Sequence, residues 1–134
     1  TNDSAATGSV GEYVSSNIPV ASAVSISTNT ATNLTSISLT AGDWIVGGNV
    51  RISGSAQALT RTFAWISTTS ATLPNVSNTN EFDGNIATFL TGGGLAPEVR
   101  ISISGTTTVY VSGQTTFGAG TASMCGNIWA RRLR

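Results

Sequence analysis

The sequence predicts an all-β fold, an antiparallel β-sandwich or a closed jelly roll, and three observations carry that expectation. Apolar and polar residues alternate with period two almost from end to end, and no stretch repeats its apolar residues at the helical period. Clusters of Gly, Asn, Pro and Ser cut the chain into about eight to ten short runs, the spacing expected of sandwiches and jelly rolls. The 134 residues form one domain, 1–134, large enough to bury roughly two-thirds of the surface its unfolded chain exposes.

Gly11–Ser16 and Ala21–Thr28 are the first strands, separated by Pro19; the first offers Tyr13 or Val14 to a core, the second Val24 with Ile26. In Asn33–Thr40, Ile37 and Leu39 alternate with Ser36, Ser38 and Thr40, giving one apolar and one hydroxylated face, and Ala41-Gly42 supplies a turn. Asp43–Ser53 is the most regular strand. Its residues Trp44, Val46, Gly48, Val50 and Ile52 are assigned to the core, and Asp43, Ile45, Gly47, Asn49, Arg51 and Ser53 to the opposite face. Arg61–Thr68 carries Phe63 and Trp65 on one face and Ala64 and Ile66 on the other; burial on both sides fits a central strand or one at a subunit boundary.

From Ser70 to Gly94 turn formers dominate, so a loop is expected over Asn75–Asn85, a short strand at Ile86–Leu90 and a turn at Gly92-Gly93-Gly94. Regular alternation returns in Glu98–Ser104, with Val99, Ile101 and Ile103 inward, and in Thr107–Phe117, with Val109, Val111 and Phe117 opposite Tyr110. The last strand, Ser123–Leu133, sets Met124, Gly126, Ile128 and Ala130 against Cys125, Asn127, Trp129, Arg131 and Leu133.

Charged residues make up 9% of the chain, six arginines balancing six acids, with neither histidine nor lysine; ordinary domains carry about 25%. So neutral an exterior repels little, and self-association is expected. Without histidine there is no Ser-His-Asp or Cys-His site, and without lysine no Ser-Lys pair, so no enzyme is expected. Glu81 and Asp83 form the one close acidic pair, readable as a glycosidase pair or as solvated loop carboxylates. Their spacing matches no calcium loop, and no metal or cofactor is expected. As the tip of a long loop, Asn78, Asn80, Glu81 and Asp83 are candidate receptor contacts. The chain lacks the clustered basic footprint of a nucleic-acid binder, and no apolar run reaches the ~18 residues of a membrane helix. The single Cys125 has no partner for an internal disulfide and reads as a small core residue.

Arginine is the only cation, and its planar fork suits bidentate pairing. Arg51, Arg61 and Arg100 lie mid-strand, and Arg131, Arg132 and Arg134 cluster at the end. One reading pairs them with Asp43, Glu12 or Glu98 within or between subunits. The other lines a pocket for a small anion or receptor group at a subunit boundary with Arg51, Arg61, Arg100, Arg131 and Arg132. The three tryptophans are core or interface anchors, or sugar-stacking platforms; Phe63, Trp65, Trp129 and Leu133 are the candidate interface residues.

The runs Gly11-Glu12-Tyr13-Val14-Ser15-Ser16, Thr35 to Trp44, Trp65 to Pro74 and Ile128 to Arg134 together resemble the C-terminal domains of tail-needle, tail-fibre and spike proteins of tailed bacteriophages. The resemblance implies a non-enzymatic homotrimeric knob, a jelly roll similar to the tumour necrosis factor fold, at the distal tip of the tail of a virion. Residues 1–10 are then a linker from an upstream fibrous stalk, and the partner is the bacterial host cell surface, met in attachment or in envelope penetration during genome delivery. In that setting the second apolar face of Arg61–Thr68, with Trp129–Leu133, packs against neighbours around a three-fold axis. The alternative is a carbohydrate-binding, lectin-like module or a weak glycosidase using Glu81 and Asp83.

Overall fold

In the computed structural model, which describes residues 5–55, 57–75, 79–88 and 91–134, the period-two runs become strands β1 (Tyr13–Ile18), β2 (Val24–Ile26), β3 (Thr32–Leu39), β4 (Gly42–Gly54), β5 (Gln57–Ser67), β6 (Thr79–Thr88), β7 (Thr91–Ile103), β8 (Thr107–Thr116) and β9 (Ala122–Arg132). A single 3-10 turn at Val20–Ser22 follows Pro19. The front sheet has the order β1-β9-β4-β7, with β2 also pairing β9, and the back sheet the order β3-β8-β5-β6. Every pairing is antiparallel. Apart from β1–β2 and β5–β6, each strand passes to the opposite sheet, which makes the domain a jelly roll.

The alternation of β4 places Trp44, Val46, Val50 and Ile52 between the sheets, and Met124, Ile128 and Ala130 of β9 lie beside them. Leu34, Ile37, Leu39, Ala64, Ile66, Val109 and Val111 of the back sheet meet them to complete one core. Val99, Ile101, Ile103 and Phe117 pack at its margin, and Cys125 is buried, as their residue types predict.

Residues 79–85 and 92–94 depart from the expectation of loop and turn, whereas the strand expected from Ile86 is present in β6 as far as Thr88. β6 pairs β5 from Trp65–Thr79 to Gln57–Thr88. The Gly92–Gly94 run is strand, with Gly92, Gly93 and Gly94 opposite Ile52, Arg51 and Val50. Strand formation here follows from backbone pairing with two well-patterned neighbours, which overrides weak local propensity. Glu81 and Asp83 therefore sit on a strand rather than a loop tip, and Asn78 lies outside the described residues.

The second apolar face of β5 is hidden by the chain itself. Phe63 and Trp65 are 5% and 0% exposed although they point away from the core shared by Ala64 and Ile66. Trp65, Ser112 and Asn33 form one cross-strand row over β5, β8 and β3. Asn33 Oδ1 accepts from the Ser112 hydroxyl at 2.9 Å and from the Ala71 amide at 2.8 Å, while its Nδ2 donates to Ser70 Oγ at 2.7 Å. These bonds draw the segment after β5 across the row, and Ala71 takes a left-handed φ of 45° to meet them. Neighbours around a three-fold axis are not needed to bury Phe63 or Trp65.

At one end of the sandwich the first and last strands are locked together. Arg132, 4% exposed, donates from Nε to Glu12 Oε2 at 2.9 Å and from Nη1 to the Ala41 carbonyl at 2.6 Å, with Thr40 Oγ1 accepting from Nη2. Its guanidinium carbon stands 4.3 Å from the Trp44 ring centre, a cation–π contact that accommodates a buried charge. The Gly8 amide bonds Glu12 at 2.8 Å; it, with Arg132, holds the Glu12 carboxyl below its ordinary value against the opposing effect of burial. Of the expected linker 1–10, Gly8 and Ser9 are thus bonded to Glu12.

Candidate subunit-contact face

Strand alternation turns a second set of front-sheet residues outward. Register puts Tyr13, Arg131, Ile45 and Arg100 in one row across β1, β9, β4 and β7, and Ser15, Trp129 and Gly47 in the next. Tyr13 and Trp129 stack with ring centres 6.5 Å apart and planes inclined by 16°. Gly47 makes that arrangement possible: a Cβ there would overlap the Trp129 ring, so glycine alone lets the indole lie against β4. Tyr13, Ile45, Trp129, Arg131 and Glu98 line a shallow concavity of about 370 Å³.

Exposed apolar residues continue the face. Val10 is 69% exposed and Leu133 44%. The Gly11 amide bonds the Arg132 carbonyl and the Leu133 amide the Asp43 carbonyl, so both flank the Tyr13–Arg131 row. Large apolar side chains exposed beside an apolar concavity point to an interaction site.

Beside it, Arg100 grips Asp43 with its fork, Nε to Oδ1 at 2.8 Å and Nη2 to Oδ2, and Arg134 Nε approaches Oδ2 at 3.2 Å. The Arg100 hydrogen bond holds the Asp43 carboxyl below its ordinary value, and Asp43 in return raises the Arg100 guanidinium. The Asp43 carboxylate is almost covered while both arginines remain largely exposed.

The predicted arginines do not share one pocket. Arg132 is buried and committed to Glu12, Ala41 and Thr40, which corrects its assignment as a ligand contact. Arg61 lies on the back sheet, bonding Glu81 from Nε at 2.9 Å and standing 5.2 Å over the Phe63 ring. Arg51 is exposed on β4 opposite Cys125 and Gly93, beyond the concavity. Arg100 and Arg131 lie on one face.

Of the predicted interface residues, Trp129 lines the front-sheet concavity and Leu133 is exposed just past β9, whereas Phe63 and Trp65 are buried on the back sheet. Asn80 is exposed on β6; Glu81 is tied to Arg61, and Asp83 pairs by backbone with Arg61. Sequence reasoning missed Tyr13, Ile45 and Glu98 as members of one face. Ile45, apolar among polar neighbours on the outward side of β4, was the signal that pointed to it.

Among the described residues no helix is long and apolar enough to cross a membrane, and no group of metal-ligating side chains gathers. No protein-family model matches the chain, and no curated protein does. Its fold is similar to that in a structure of infectious bursal disease virus, Gx strain, with a TM-score of 0.57 and 13% identity over 91% of this chain and 32% of that one. A crystal structure of the VP2 subviral particle of the same virus gives a TM-score of 0.57 and 15% identity over 98% of this chain and 35% of that one. The chain therefore spans about a third of each viral chain, and at such identities the likeness is one of fold.

Proposed function

We propose that this domain is a non-enzymatic structural module of a virion: the homotrimeric C-terminal knob of a phage tail needle or tail fibre, which holds three chains together and meets the host cell surface in attachment or envelope penetration. The observation that carries the reading is the front-sheet face, where Tyr13, Trp129, Ile45, Val10 and Leu133 bring apolar surface to the outside of a nearly uncharged domain. A lone subunit leaves that surface wet; copies of the chain cover it. The likeness to phage tail tips and the jelly roll shared with viral particle proteins both support a virion role.

Sedimentation equilibrium is the first test, with a mass three times that of the chain expected at micromolar concentration. The second is competition, in which the purified domain reduces adsorption of the parent phage to its host. A monomer that leaves adsorption untouched overturns the reading.

One observation favours a second reading. The near-parallel Tyr13 and Trp129 rings offer a stacking surface for a sugar, as a lectin-like module would. Glycan-array binding lost in Trp129→Ala by a chain that sediments as a monomer supports that alternative. A glycosidase built on Glu81 is disfavoured by the commitment of that carboxylate to Arg61.

A further inference from the structure

Arg131 and Glu98 line the front-sheet concavity from different strands, and both are exposed. Arg131 stands on β9 and Glu98 on the sheet-edge strand β7, with β4 between them. Two strand spacings amount to about 9–10 Å, and the two side chains form no ion pair with each other.

Among the described residues, Arg61 pairs with Glu81, Arg100 and Arg134 share Asp43, and Arg132 pairs with Glu12. Arg131 and Glu98 have no such partner among the described residues. Two unmatched charges of opposite sign thus flank an apolar floor, the cation toward the β1 side of the sheet and the anion at the β7 edge.

We propose that Arg131 of one copy of this chain pairs with Glu98 of the next, across the Tyr13–Trp129–Ile45 floor, in a head-to-tail contact that closes a ring. This rests on the reading of the domain as a self-assembling knob, and it names the contact that sets how copies are joined. With the cation on one side of the face and the anion on the other, a ring rotation brings the Arg131 side of one copy to the Glu98 side of the next, and like-charge contacts reject other registers. Covering the floor lowers the dielectric around the pair and strengthens its Coulomb attraction, against the cost of desolvating both charges.

The experiment is sedimentation equilibrium across a concentration series on the chain, on Arg131→Glu, on Glu98→Arg and on the double reversal. Thermal melts confirm that each variant is folded, as expected for exposed positions. Each single reversal is expected to weaken association by at least about tenfold, and the double reversal to restore it to within about threefold.

An equimolar mixture of the two single variants tests ring closure. In a ring of three, at least one like-charged contact survives in every combination, so the mixture stays weaker than the parent chain. Full recovery as dimers identifies a two-fold contact and overturns the head-to-tail arrangement. If the parent chain assembles and neither single reversal changes its association, the Arg131–Glu98 pair is overturned while the knob reading stands. A parent chain that is monomeric throughout overturns both.

Discussion

The indole of Trp129 lies against the backbone of Gly47 on the neighbouring strand, in space that a single methyl group would fill. The same ring stacks on Tyr13, so the position of Trp129 depends on what β4 lacks.

Gly47→Ala is therefore expected to displace the indole, break the Tyr13 stack and weaken association by about tenfold or more while the fold persists. Near-ultraviolet circular dichroism reads the ring, and sedimentation reads the assembly. An unchanged assembly with a displaced ring removes Trp129 from the contact.

Arg132→Ala strands a buried Glu12 carboxylate and removes the donors to the Ala41 carbonyl and the Thr40 hydroxyl. A loss of about 3–5 kcal/mol in unfolding free energy is expected, measured by urea denaturation. Arg131→Ala, one residue away and exposed, is expected to stay within about 0.5 kcal/mol in the dissociated chain. Equal losses at the two positions contradict the alternation of β9.

Asn33→Ala leaves the Ser112 hydroxyl without its acceptor at a fully buried position and releases the segment at Ser70–Ala71. A cost of about 1–3 kcal/mol is expected. Acrylamide quenching of tryptophan fluorescence should rise as Trp65 is uncovered; quenching that does not change shows that Trp65 is covered by something other than this segment.

The pH dependence of stability follows from Glu12 and Asp43. Both carboxyls are held below their ordinary values in the folded chain, so the folded state binds fewer protons than the unfolded state in the acid range. Their contribution is complete above the unfolded carboxylate values near pH 4 and is lost as pH falls through the folded ones. Melting temperature is expected to be flat from pH 7 to about 5 and to decline below about 4. The absence of histidine leaves no side chain of ordinary pKa to titrate between, and a steep change from pH 7 to 5 contradicts this account.

Glu81→Gln breaks an exposed ion pair with Arg61, whose side chain is half exposed. A change within about 1 kcal/mol is expected, with no effect on host adsorption. Loss of a sugar-cleaving activity in this variant alone is the result that revives the glycosidase.

Much of the jelly roll was legible because burial of one face forces alternation. β4 shows it: Trp44, Val46, Val50 and Ile52 read as core in the sequence and are core in the structure. The part of β6 before Ile86 was illegible because backbone pairing, which carries no side-chain pattern, recruits Asn and Gly into a strand. The two apolar faces of β5 were visible, but their cover was not, since it depends on Asn33 reaching a segment 37 and 38 residues further along. Arg131 and Arg132 look alike in the chain and have opposite fates. Their facing is set by parity within β9, and their neighbours by register against β1, β4 and Glu12, which lies 120 residues away.

β9, the last strand in the chain, is central rather than peripheral, with β1 and β2 on one side of it and β4 on the other. A ribosome therefore releases the middle of the front sheet after everything that flanks it, and the halves wait as unzipped edges until it arrives. A chain cut before β9 is not a slightly shortened sandwich but one with its front sheet open in the middle, vulnerable to aggregation and proteolysis.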